Sequence, residues 1–222
     1  MELLIAVTLL SLVSVGMMFA LRIGLNTYGK AQSHLMDNRR VAGAQRILTD
    51  ELAGMVPVEA PCGGNKDGPK TPFFQGDPQV IRLVSTYSLQ EGWRGHPQIL
   101  EIFVMPGDGG VRLVVNEIPY YHPTQAGRLC TGPGRYVGVS PSEKSFVLAD
   151  KLAICTFSYL QQPENLMEYP TWVQVFTEKR SWPKAVRIQM RALQADLSRL
   201  QPISVVMPLR IHRTPEMPYV DE

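Results

Sequence analysis

Apolar residues follow three rhythms along this chain. From Leu3 to Leu21 they are nearly continuous (LLIAVTLLSLVSVGMMFAL), 19 residues without a charge and with only Thr8, Ser11 and Ser14 as polar side chains. At about 1.5 Å of rise per residue this run is about 28 Å long, close to the ~30 Å hydrocarbon core of a bilayer. From there to Met55 the apolar positions recur in steps of three, four and seven: Leu21, Leu25, Tyr28, Leu35, Val41, Ala44, Leu48, Leu52 and Met55. That spacing marks one face of an amphipathic helix, with Asp37, Arg39, Arg40 and Arg46 mostly off the stripe. Gly54 and Pro57 are stop signals. Residues 2–55 therefore predict one helix of about 80 Å, which a hinge near Gly24 or Gly29 would divide in two.

Beyond Pro57 the rhythm shortens to two. Val80–Tyr87 is rich in β-formers, and Ile99–Met105 and Val111–Ile118 flank the turn Pro106-Gly107-Asp108-Gly109-Gly110, a hairpin signal. Lys151–Leu160 and Trp172–Phe176 follow. Ala185–Leu193 places Val186, Ile188 and Met190 on one face, with Arg187, Gln189 and Arg191 on the other. Ile203–Ile211 aligns Ile203, Val205, Met207, Leu209 and Ile211, and Pro208 within it predicts an edge position or a bulge. Alternation with one polar face predicts an antiparallel sheet packed on one side, where the amphipathic half of the helix can cover it. Two long Gly/Pro-rich loops, Ala60–Gln79 and Pro119–Ser145, each hold one cysteine, and the tail Thr214–Glu222 is expected to fray.

Composition sharpens this picture. All 18 prolines lie at or beyond Pro57, as a proline-free helix followed by a turn-rich domain requires. An apolar content of 45% supports a core, and a net charge of +2 disfavours both a nucleic-acid binder with a basic stripe and an acidic disordered chain. A cleaved secretory signal fits the apolar run poorly. No basic residue precedes the run, it exceeds the usual 7–15 residues, and no small-residue cleavage site precedes Arg22.

Catalytic and metal motifs are sparse, and no constellation predicts an enzyme. Gly63–Thr71 (GGNKDGPKT) resembles a phosphate-binding loop only superficially. Pro69 stands between the second glycine and Lys70 and would remove a backbone donor. The four histidines are scattered, so a metal site from His96, His122 and a cysteine is a minor alternative to surface histidines. Asp67, Asp77, Asp108, Asn116 and Glu117 lack calcium-loop spacing, which leaves calcium as a weak option and no cofactor as the expectation. Cys155 lies in a strand and reads as a small hydrophobe. Outside the cytoplasm, a Cys62–Cys130 disulfide would close the two long loops; in a cytosolic domain all three thiols would stay reduced. One charge is out of place: Glu2 heads the apolar run. A carboxylate there needs either lipid-headgroup exposure or an amine partner, from its own chain or from a neighbouring helix.

The segment Glu2-Leu3-Leu4-Ile5-Ala6-Val7 resembles the start of type IV pilin-like proteins, in which a basic leader ending in glycine precedes a glutamate and a long apolar helix. The leader, its glycine and the first mature residues do not appear ahead of Glu2. This corresponds either to a late start of the sequence or to a member that is never processed. Arg22, Lys30, Arg39 and Arg40 follow the span, which taken alone would hold the C-terminal part inside; a basic leader would restore the opposite orientation. Farther on, Phe146–Leu152 leading into a strand, and Ser181-Trp182-Pro183-Lys184-Ala185-Val186-Arg187-Ile188, resemble the J-type minor pseudopilin of type II secretion.

The resemblance implies an α+β fold, a long N-terminal transmembrane and amphipathic helix packed on a mainly antiparallel β-sheet domain. Residues 1–22 would be the transmembrane helix, 23–56 its amphipathic continuation, 57–213 a periplasmic β-rich domain and 214–222 a tail. It implies a structural subunit of the bacterial inner membrane, processed by a prepilin peptidase and assembled with H-, I- and K-type minor pseudopilins and the major pseudopilin, without nucleic acid. Glu2 would be the assembly contact, and Ser11, Ser14, Gly16 and Ala20 would let helices approach closely. The alternatives are a minor pilin of a type IV pilus and an anchored periplasmic binding domain that does not polymerise.

Overall fold

The computed structural model describes residues 2–63, 70–88, 93–132, 134–163, 169–177, 180–193 and 204–209. The tail 214–222, and with it Ile203 and Ile211, lies outside them. Helix α1 runs without a break from Glu2 to Ala53, 52 residues, so Gly24 and Gly29 do not divide it. It ends two residues before Met55. Gly54 closes the last turn by donating its amide to Asp50 O at 2.9 Å, and a Cβ at Gly54 would come within 2.7 Å of Ser85 Oγ. Only glycine lets the chain turn this close to the sheet.

Thirteen strands and one short helix follow among the described residues: β1 (Met55–Val56), β2 (Glu59–Pro61), β3 (Lys70–Pro72), β4 (Gln75–Gly76), β5 (Val80–Ser88), β6 (Trp93–Gly107), β7 (Gly110–Pro119), α2 (Pro123–Gly127), β8 (Cys130–Gly132), β9 (Arg135–Tyr136), β10 (Phe146–Gln161), β11 (Thr171–Val173), β12 (Ala185–Ala192) and β13 (Ser204–Pro208). The main sheet has the order β1-β5-β6-β7-β10-β12-β13, with β4 added to β5 and β11 to β10. Every pairing in it is antiparallel. The β6–β7 hairpin closes at Gly107 and Gly110, and Gly109 takes the left-handed position in its turn (φ 76°). Pro208 lies on β13 at the end of the sheet order, where a missing N–H costs no ladder bond.

Strand β10 is long enough to serve three neighbours, the short β11 among them. Its first part pairs with β7 and its second with β12, with register shifts around Ala149, Leu152 and Ile154. Lys151 occupies the bulge with φ 55°, an unusual conformation for a residue with a Cβ. The Asp150 carboxylate accepts the Lys151 amide at 2.8 Å there.

The expectation of a sheet packed on one side holds for β12, whose buried Val186, Ile188 and Met190 alternate with the more exposed Arg187, Gln189 and Arg191. It fails for β5, where Ile81 through Ser85 are all buried. The reason is a second core. Ile81, Leu83, Leu100, Ile102 and Val115 share the large core with Leu48 and Leu52 of α1. Val84 and Ile99 point the other way and join Val58, Ala60, Phe73, Ala126 and Cys130 in a smaller core. The two long loops, which contain β2–β4, α2, β8 and β9, supply this second cover.

Candidate assembly surface and its seat on the sheet

Segment Glu2–Gln32 of α1 is the one helix among the described residues long and apolar enough to cross a membrane. Nothing among the described residues covers it: every residue from Glu2 to Gln32 is exposed, including Leu10 at 69% and Met18 at 75%. Its charge-free part, Leu3–Leu21, exposes far more continuous apolar surface than the patches typical of soluble monomers, which marks it as a surface for lipid or for other helices. The apolar stripe read through Leu21, Leu25 and Tyr28 is likewise exposed, whereas Ala44, Leu48 and Leu52 farther along α1 are buried; the side chains of Leu35 and Val41 lie outside the described ones.

The polar side chains of this segment turn inward on their own backbone. Thr8 Oγ1 donates to Ile5 O (2.8 Å), Ser11 Oγ to Thr8 O (2.8 Å) and Ser14 Oγ to Leu10 O (2.9 Å). Their donors are thereby satisfied without a partner helix, which makes the surface apolar in practice as well as in composition. A Cβ at Gly16 would meet nothing within 4 Å, and Ala20 is exposed. Both remain open to approach from outside the chain. Glu2 lies in the first turn, where the positive end of the helix dipole favours a carboxylate. The structure thus sets Glu2, Ser11, Ser14, Gly16 and Ala20 on one exposed helix segment without bringing any of them, among the described residues, to a partner on another element.

At its other end α1 is seated on the sheet. Ala44, Leu48 and Leu52 are buried, and β5 caps the carbonyls of the last turn. Ser85 Oγ donates to Glu51 O at 2.8 Å, and the Thr86 amide donates to Gly54 O at 2.9 Å. The Glu51 side chain is fully buried and neither carboxyl oxygen has a hydrogen-bond partner. Loss of water on burial, then the charge of Glu117 and more weakly that of Asp50, push its pKa up to about 8; the neighbouring Ser85 hydroxyl opposes the rise. Glu51 escaped the sequence reading although its signal was present. It falls seven residues after Ala44 and three after Leu48, squarely on the buried stripe.

The structure joins Cys62 to Cys130 across a sequence separation of 68, which ties the two long loops together over the second core. Their sulfurs are therefore not available as metal ligands. Of the minor metal candidates, His96 is exposed and His122 caps α2, accepting the Thr124 amide at 3.3 Å. Asp77 is held by Gln75, Asp108 by Arg112 and Asn116 by Glu101, whereas Asp67 lies outside the described residues. Among the described residues no group of three or more His, Cys, Asp or Glu side chains is placed to hold a metal. Most of Gly63–Thr71 lies outside the described residues, and Lys70 and Thr71 pair in β3. Cys155 is buried and unbonded in the large core.

A second set of residues missed by sequence reasoning is the polar row Arg82, Glu101 and Asn116, which sit side by side on β5, β6 and β7. All three are buried. Only the strand register brings them together. The segments that resemble pseudopilins have structural roles: Phe146–Lys151 opens β10, and Trp182 packs into the large core just before β12. No protein-family model and no curated protein matches this chain.

Proposed function

We propose that this protein is a minor pseudopilin, most like the J-type subunit of type II secretion, which sits in the bacterial inner membrane with its sheet in the periplasm and joins the tip of a pseudopilus. The observation that carries the reading is the mainly apolar segment Glu2–Gln32, exposed along its whole length, headed by a carboxylate and continuous in one helix with an end seated on an antiparallel sheet. Such a rod exchanges lipid for neighbouring helices at little cost, because packing and not water exclusion separates the two environments. Glu2 would meet an amine of the adjacent subunit and set axial register, since a buried charge without a partner is expensive. The Cys62–Cys130 disulfide suits an oxidising compartment.

The test is Glu2→Ala in the full chain in its native host. Membrane insertion should persist while incorporation with the other minor pseudopilins is lost; normal incorporation would overturn the role of Glu2. Deletion of the gene should stop protein export and leave surface pili intact. Loss of pili with intact export would instead identify a minor pilin.

A further inference from the structure

The last turn of α1 carries a polar arrangement that does not fit a permanently fixed joint. Glu51 is fully buried and both of its carboxyl oxygens are without partners. The Ser85 hydroxyl that lies closest gives its proton to the Glu51 backbone carbonyl (2.8 Å) and so cannot serve the carboxyl. Gln98, the cross-strand neighbour of Ser85, is also buried and its Oε1 has no partner. On β7, Glu117 faces the same side of the sheet, with Ser88 Oγ donating to its Oε2 at 2.9 Å. A carboxylate is costly here: among the described residues neither oxygen has a hydrogen-bond partner, the side chain is buried, and a like charge is near.

We infer that Glu51 is a proton-operated latch: the last turn of α1 stays seated on β5 while the Glu51 carboxyl carries its proton, and it lifts off the sheet when that carboxyl ionises. Burial and the charges of Glu117 and Asp50 favour the neutral form; against them stands the Ser85 hydroxyl, whose proton is committed to the Glu51 backbone carbonyl. Among the described residues, the charges acting on Glu51 are Glu117 from β7 and Asp50 from its own helix. β10 and β13 also pack on α1. β13 has no charged residue, and on β10 Lys151 is exposed and Asp150 pairs with Arg112 at 3.4 Å. The Arg82 guanidinium lies on the opposite face of β5, bound to Glu101.

The direction of the linkage follows. Burial and the Glu117 charge push the seated carboxyl up to about 8 from its ordinary 4.5, so the seated state holds more protons than the unseated one between these limits. Seating is therefore strongest below about pH 4.5, weakens as pH rises, and has lost its proton-linked part once pH passes about 8. The consequence is mechanical: the apolar rod is continuous with this turn, so its angle to the sheet is set by whether the turn is seated.

The test uses the full chain in detergent micelles. Hydrogen-exchange protection of the Thr49–Ala53 amides, corrected for intrinsic rates, should fall roughly tenfold or more between about pH 5.5 and about pH 8.5, since each pH unit between the two pKa values is worth up to a factor of ten. Glu51→Gln, which keeps the shape of the neutral acid, should flatten this dependence and exceed the wild type at the alkaline end. Carboxyl carbon NMR of Glu51 in the wild type should titrate near 8. The inference is overturned if wild type and E51Q show the same pH course, or if Glu51 titrates near 4.5. Where E51Q does not fold, wild-type protection must fall with pH below the NMR midpoint of Glu51 and level off above it, and protection that is independent of pH below that midpoint overturns the inference equally.

Discussion

The Arg82 guanidinium and the Glu101 carboxylate face each other across β5 and β6 at 2.8 Å, with both side chains almost entirely removed from water. The pair is part of a longer chain of bonds. Glu101 accepts from Asn116 (2.9 Å), Arg82 donates to Gln75 Oε1 (2.7 Å) and to Val137 O (2.9 Å), and Asn116 donates to Ser140 O (3.0 Å). The Tyr136 ring lies 5.6 Å from the guanidinium carbon and its hydroxyl donates to Phe74 O (2.9 Å). The row thus fastens the segment around 136–145 to the outer face of the sheet. Replacing Glu101 by alanine leaves a buried guanidinium without its counter-charge and should cost about 3–5 kcal/mol. Denaturant unfolding of the full chain in detergent checks this, and a loss below about 1 kcal/mol would show that water reaches Arg82.

The disulfide should contribute independently of that row. Cys62–Cys130 closes a loop with a sequence separation of 68, for which about 2–4 kcal/mol is typical. Cys62→Ser with Cys130→Ser should lower stability by that amount, and protease should then cut first in the segments bearing β2 and α2, because the second core is their principal hold on the sheet.

The buried apolar side chains of α1 among the described ones are Ala44, Leu48 and Leu52. Leu48 and Leu52 are fully buried in the large core, whereas Leu10 is exposed. Leu52→Ala should destabilise the subunit by about 2–5 kcal/mol, and Leu10→Ala should change it by less than about 0.5 kcal/mol in the isolated subunit. A comparison of denaturation midpoints separates the two. Equal effects would contradict the division of α1 into a free rod and a seated end.

Cys155 should be chemically silent in the native state, since burial pushes its thiol up to about 12 and the thiolate is the reactive form. A maleimide at neutral pH should label no thiol in the folded chain, one after denaturation and all three after denaturation with reduction. Rapid native labelling would show that the strand bearing Cys155 opens.

Much of the architecture is legible in the residues because it is local. The apolar run from Leu3, the stripe through Ala44, Leu48 and Leu52, and the alternation in Ala185–Leu193 each record which side of one element must leave water. Pro208 marked an edge position and Gly109 a turn for the same reason, since backbone constraints belong to single residues. The one-sided sheet was the misreading, and its cause is instructive. Val84 and Ile99 read as ordinary members of β-rich runs, and only the loops folded over them turned their face into a second core.

The amino-acid sequence by itself determined that this protein has a long proline-free helix with an apolar first half, joined to an antiparallel sheet, and that Glu2 heads the apolar run. The periods of 3.6 and 2 are properties of neighbouring residues and need no partner from elsewhere in the chain. Only the tertiary structure decided that Arg82, Glu101 and Asn116 form one buried row and that the Glu51 side chain is buried near Ser85 and Glu117. Those relationships depend on strand register and on the exact seating of a helix against three strands, and a shift of one residue would send each side chain to the opposite face.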